Sequence, residues 1–163
     1  MVGRTPEYLG KKITAAETRL TVLYALLTPA VVLVLTGVAL ATNAGRAGLV
    51  TNGGTRGFTE VIFAYASSMA NNGQNMAGLN ANSAFYNLTT AVAMLAGRFG
   101  LAVLALRLAG RFAAQRRWPT TAGTLPSDSV MFGTLVLGTI VLVGALSFLP
   151  ALALGPIAEA LQH

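Results

Sequence analysis

The chain has 163 residues, of which 54% are hydrophobic and only 10% charged, too few charged groups to cover a water-soluble globule of this length. Its net charge of +6 comes mostly from arginines in short clusters between apolar segments, with few aromatics among them. That pattern suits an anionic membrane leaflet and excludes a nucleic-acid groove. The chain has no cysteine, which rules out disulfides, thiolate catalysis and cysteine-ligated metal centres.

Residues 1–19 form a polar, basic N-terminal segment that cannot serve as a cleavable secretory signal. Residues 20–41 carry no charge and, at about 1.5 Å per residue, are long enough for a hydrocarbon core of roughly 30 Å. Pro29 lies inside this first predicted spanning helix and is expected to kink it. Residues 43–56, with Gly45, Gly48, Asn52, Gly53 and Gly54, read as an external loop with no packed helix.

Residues 57–70 are helical in composition but, at about 20 Å, too short to cross, which predicts a half-helix that enters and does not span. Residues 71–82 follow, dense in asparagine and glycine and without charge. Residues 85–110 form the second predicted spanning helix, residues 111–129 a polar connector, residues 130–154 a third spanning helix, and residues 155–163 a tail.

Arg4, Lys11, Lys12 and Arg19 precede the first span, and Arg107, Arg111, Arg116 and Arg117 lie between the second and third, against only Arg46 and Arg56 in the first loop. The positive-inside rule therefore puts the N-terminus and the connector in the cytoplasm and the C-terminus outside. Only a re-entrant half-helix keeps this orientation consistent. The predicted fold is all-α integral membrane: three transmembrane helices plus one re-entrant pore helix and a filter loop at residues 71–76, a membrane–pore–membrane repeat over residues 20–110 with one helix added.

Non-helical backbone at membrane depth is tolerated only where it lines water or is buried in protein, so residues 71–76 point to a pore or an ion site. Gly73, beside Asn71, Asn72 and Gln74, can adopt the backbone angles that aim carbonyls at a cation, and the half-helix would turn its negative dipole end towards that cation. A plain helix C-cap at Gly73, with the asparagines in ordinary turns, fits the same letters. The density of uncharged amides favours the ion site.

Arg98 sits near the middle of the second span, where insertion costs about 2.5–3.5 kcal/mol, so it must face protein or a water-filled cavity. It either belongs to an ion pathway or bonds helix ends structurally. Glu60 either stabilises the first turns of the half-helix or supports the filter. No paired carboxylates, serine–histidine–aspartate set or metal-ligand cluster occurs, so the chain has no expected catalytic residue and no expected cofactor.

Several stretches resemble the KdpA family. They include Gly3-Arg4-Thr5-Pro6-Glu7-Tyr8-Leu9-Gly10-Lys11-Lys12, Gly57-Phe58-Thr59-Glu60, Asn71-Asn72-Gly73, Ala77-Gly78-Leu79-Asn80-Ala81-Asn82, Gly97-Arg98-Phe99 and Phe148-Leu149-Pro150-Ala151-Leu152. They follow the family's order along essentially the whole chain. The resemblance implies the potassium-binding, channel-like subunit of the bacterial Kdp pump, similar to channels of the Trk/Ktr/HKT superfamily, with four such repeats around one selectivity filter.

This chain resembles the C-terminal part of KdpA, the fourth repeat and the last helix. One repeat cannot close a four-sided filter, so the resemblance implies that the remaining KdpA repeats come from a longer gene or another chain, unless this is a truncated relic. It also implies potassium held by backbone carbonyls near Gly73, Arg98 on the route from the filter to an intramembrane tunnel, and a place in the bacterial inner membrane. The implied partners are KdpB, which hydrolyses ATP, with KdpC and a KdpF-like subunit. Gln74-Asn75-Met76 depart from the Ser-Ala-Phe of many relatives, although carbonyl coordination requires no particular side chain there.

Overall fold

The computed structural model describes residues 7–117, 119 and 129–161. They fall into two compact units, one spanning residues 5–118 and a second built on the last helix.

The first unit opens with a hairpin, β1 (Glu7–Tyr8) and β2 (Lys11–Lys12), paired antiparallel with Tyr8 opposite Lys11. Leu9 and Gly10 turn it at φ of 51° and 74°, the doubly positive geometry of a two-residue hairpin turn. This small sheet adds to the expected all-α fold.

Helix α1 (Ala15–Ala41) begins five residues before the uncharged run, because Thr14 and Glu17 close its first turn. The Glu17 carboxylate accepts from the Thr14 amide at 2.9 Å and also from the Thr14 hydroxyl. The helix runs on through Pro29. A short helix α2 (Asn43–Arg46) follows where sequence reading expects only loop; the Thr42 hydroxyl caps it by accepting from the Gly45 amide at 3.2 Å. It is packed because Gly45 has no side chain: a Cβ there would overlap the Ala39 backbone.

Helix α3 (Gly54–Met69) has 16 residues, about 24 Å, still short of a bilayer core. After an irregular return, α4 (Ala84–Leu95) starts at Ser83, whose hydroxyl accepts from the Tyr86 amide at 3.3 Å. A five-residue π-turn (Ala96–Gly100) separates α4 from α5 (Leu101–Ala114), so the single helix expected over residues 85–110 carries a defect at its centre.

The core of this unit lies where α1, α3 and α4 meet, around Val32, Ala39, Val61, Ala64, Tyr65, Met69, Tyr86 and Ala93. Two polar bonds pin it: the Tyr86 hydroxyl donates to the Gly45 carbonyl at 2.9 Å, and Tyr65 and Thr89 share a 2.8 Å hydroxyl bond.

The helix α1 and the continuous helix over α4, the π-turn and α5 are both long and apolar enough to cross a membrane, and only 17% and 11% of their most apolar stretches are buried within the chain. A core helix of a water-soluble protein would be mostly covered. Leu26, Val34, Leu88 and Leu106 instead stand out from these helices. In the second unit, α6 (Val130–Ala160) extends beyond the expected end at residue 154 into the segment read as a tail. Its first stretch, Val130–Leu146, is apolar and open, with Leu135, Ile140 and Leu146 exposed.

Candidate functional site

The site forms where α3 ends. An α-helix leaves its last carbonyls without partners, and here the following chain folds back over them. Asn71 takes the left-handed conformation at φ 63°, its amide donates to the Ser68 carbonyl at 2.9 Å, and the Asn72 amide donates to the Ser67 carbonyl at 2.9 Å. These two bonds make a Schellman cap with asparagine, and not glycine, in the left-handed position. The plain C-cap weighed for Gly73 therefore belongs to Asn71.

Gly73 takes a second left-handed turn, at φ 71°. Its amide reaches the same Ser67 carbonyl at 3.5 Å, and the Gln74 amide donates to the Ser67 hydroxyl at 2.7 Å. Four consecutive amides, from Asn71 to Gln74, thus converge on Ser67 and Ser68, both buried. In a trans peptide the N–H and the preceding C=O point in opposite directions. Tying these amides inwards turns the carbonyls of Ala70, Asn71, Asn72 and Gly73 outwards. Among the described residues no hydrogen bond ends on the carbonyls of residues 71–75, and residues 72–77 are exposed. The result is a row of free oxygen ligands beside the negative end of a helix dipole, an arrangement able to replace water around a hard cation.

The π-turn supports this loop from behind. Gly97 is buried, and a Cβ there would overlap the Met69 carbonyl oxygen, so only glycine lets the end of α3 lie directly on the turn. The Asn71 side chain spans the contact, donating to the Met69 and Met94 carbonyls at 3.3 and 3.4 Å and accepting from Arg98 Nε at 3.2 Å. Asn71 and Arg98, singled out for separate reasons, are thereby joined. A π-turn inserts an extra residue and frees backbone groups, which lets helix carbonyls and side chains meet at an angle a regular helix forbids.

Glu60 lies elsewhere. It sits about 16 Å up α3 from Asn71, 6% exposed, with Oε1 accepting from Asn52 Nδ2 at 2.7 Å and Oε2 without a hydrogen-bond partner among the described residues. A Cβ at Gly78 would overlap both carboxylate oxygens, so the return strand passes directly over Glu60. There it is pinned to the first loop: the Val50 amide donates to the Gly78 carbonyl at 3.0 Å and the Asn80 amide to the Gly48 carbonyl at 2.8 Å. Glu60 thus contacts the far end of the loop and not its glycine turn. Sequence reading missed Ser67, Ser68, Gly78 and Gly97; two adjacent serines closing an apolar helix, ahead of an asparagine–glycine run, were the available signal.

The family model for KdpA, the potassium-transporting ATPase A subunit, matches residues 1–161. The chain belongs to the KdpA family. Among curated proteins this KdpA-family chain is similar to the potassium-transporting ATPase potassium-binding subunit of Ralstonia pickettii (strain 12J), 53% identical over 163 residues, covering 100% of this chain and 28% of that protein. The subunit of the same name from Yersinia enterocolitica is 53% identical over 162 residues, 99% of this chain and 29% of its own length. That of Ralstonia nicotianae is 52% identical over 163 residues, with 100% and 28% covered. The chain spans less than a third of the relatives it matches.

Proposed function

We propose that this chain supplies one pore-lining quarter of a potassium-binding, channel-like subunit in an ATP-driven potassium uptake pump. In this reading it is the C-terminal part of that subunit, its fourth repeat and last helix. Helices α1, α4–α5 and α6 cross the bacterial inner membrane with the N-terminus in the cytoplasm and the C-terminus outside, and α3 enters without crossing. Potassium is held by the outward carbonyls of residues 71–73, passes Arg98 and reaches KdpB, which hydrolyses ATP; KdpC and a KdpF-like subunit complete the complex. The chain itself performs no covalent chemistry.

One observation carries the proposal: four successive amides tied to Ser67 and Ser68, with the opposed carbonyls left free. The names of the relatives, potassium-binding subunits of potassium-transporting ATPases, give the cation. Arg98 on Asn71 adds a fixed positive charge next to the loop, suited to moving a cation on and unsuited to storing it.

The test is growth on micromolar potassium of a bacterium without its own uptake systems, expressing this chain with the other three repeats, KdpB and KdpC. Rescue that is lost when this chain is omitted is the expected outcome. Absence of rescue from an inserted, assembled complex would reduce the chain to a relic of the family.

A further inference from the structure

At the end of the α1–α5 pair that carries the hairpin, a groove of about 490 Å³ opens between the two helices. Arg19 from α1 and Arg107 and Arg111 from α5 line it, over a floor that includes Ala16, Leu20 and Gly110. The three cations are not equivalent. Arg111 Nε is paired with Glu17 Oε1 at 2.7 Å, and that carboxylate is fully buried, so this charge is neutralised. Arg19 and Arg107 are exposed, and among the described residues neither has an ion pair or hydrogen bond.

The groove is also held in shape. The Lys11 ammonium donates to the Phe112 carbonyl, and Tyr8 lies against Phe112 with ring centroids 5.6 Å apart, so the hairpin clamps the end of α5 while Glu17 and Arg111 tie α5 to α1. A Cβ at Gly110 would meet nothing within 4 Å, which leaves a slot beside the two free guanidinium groups. Leu20 marks the start of the uncharged run of α1, so the groove straddles the level at which polar surroundings give way to apolar ones.

We propose that this groove binds the headgroup of an anionic phospholipid, its phosphate between Arg19 and Arg107 and its acyl chains along the apolar sides of α1 and α5. The proposal rests on the reading that both helices cross a membrane. Two unpaired guanidinium groups complement one phosphodiester, and a floor of small and apolar side chains accepts a lipid tail and repels a free, fully hydrated anion.

The test uses the full chain in nanodiscs of equal phosphatidylglycerol and phosphatidylcholine, with native mass spectrometry of the lipids retained on release. The chain should keep phosphatidylglycerol over phosphatidylcholine by about fivefold to thirtyfold, a preference lost in Arg19→Gln/Arg107→Gln and kept in Arg46→Gln. Equal retention of the two lipids, or an unchanged preference in the double variant, overturns the site. So does displacement of phosphatidylglycerol by millimolar inorganic phosphate, which would assign the two arginines to a free anion. Carbonate extraction of vesicles of the same two lipids carrying the chain separates the two readings: a chain that stays embedded without lipid preference loses only the lipid site, and one that washes out loses both.

Discussion

Gly73 and Gly97 are both glycines of the site, for unrelated reasons. Gly73 has a φ of 71° and open space where a Cβ would be, so alanine there meets only conformational strain, about 1–2 kcal/mol. Gly97 has ordinary helical neighbours and no space at all, so alanine must push α3 off the π-turn, costing about 1–3 kcal/mol. Thermal unfolding of the purified protein should therefore drop more for Gly97→Ala, while in the assembled pump Gly73→Asp, which adds charge beside the carbonyls, should cost more potassium selectivity. Unchanged potassium affinity in Gly73→Asp would remove Gly73 from the ion site. Ser67 was not legible as a site residue, since a serine in an apolar helix commonly bonds its own backbone. Ser67→Ala frees the Gln74 amide, and about a tenfold loss of potassium affinity, measured in the same pump, is the expected result.

At the level of elements, a short helix before an irregular, amide-rich return was legible from length and amide content, but their anchoring was not. Tyr86 reaches from α4 across to the Gly45 carbonyl of α2, forty-one residues earlier in the chain, and its ring fills the space that Gly48 leaves. No local pattern encodes such a bond, because donor and acceptor are brought together only when α1, α3 and α4 pack. Tyr86→Phe keeps the ring and removes one of the two bonds on the Gly45 carbonyl, which still accepts from the Gly48 amide at 3.1 Å, and should lower stability by about 0.5–1.5 kcal/mol with faster hydrogen exchange in α2. Stability equal to that of the parent chain would show that the Gly48 amide alone satisfies the carbonyl. The π-turn is a similar case: Ala96–Gly100 is expected from the sequence to be part of one continuous helix, and the extra residue enters because Gly97 and Arg98 each have a partner on α3 or its loop.

For the molecule as a whole, the Glu17–Arg111 pair is the ion pair that ties the two ends of the first unit among the described residues, linking residues 94 apart in sequence. The Thr14 hydroxyl and then the Arg111 guanidinium hold the Glu17 carboxyl down at about 2, against an ordinary value of 4.5, at the polar end of α1 ahead of the uncharged run. A lowered carboxyl contributes fully above its ordinary value and loses that contribution as pH falls towards about 2. Docking of α5 on α1, followed by hydrogen exchange, should thus be the same at pH 5 and pH 8. Glu17→Gln should speed exchange in α5 and lower the unfolding temperature at both, and a protein whose α5 exchange is unaltered would show the hairpin clamp to be sufficient.

The sequence by itself determined two long apolar helices, a short helix between them and a charge-free loop after it. Uncharged runs long enough for a bilayer, an apolar helix too short for one and a charge-free amide loop are properties of consecutive residues, and the Asn71–Gln74 stretch and Arg98 could be singled out from them. Only the tertiary structure decided what those residues do to one another. Which amides turn inwards depends on where Ser67 ends its helix, Arg98 finds Asn71 only because Gly97 admits the Met69 carbonyl, and Glu60 is drawn under Gly78 by a loop that pairs with residues 48–50. The first is a local helix cap, but the other two are contacts between segments far apart in sequence, set by packing and not by local propensity.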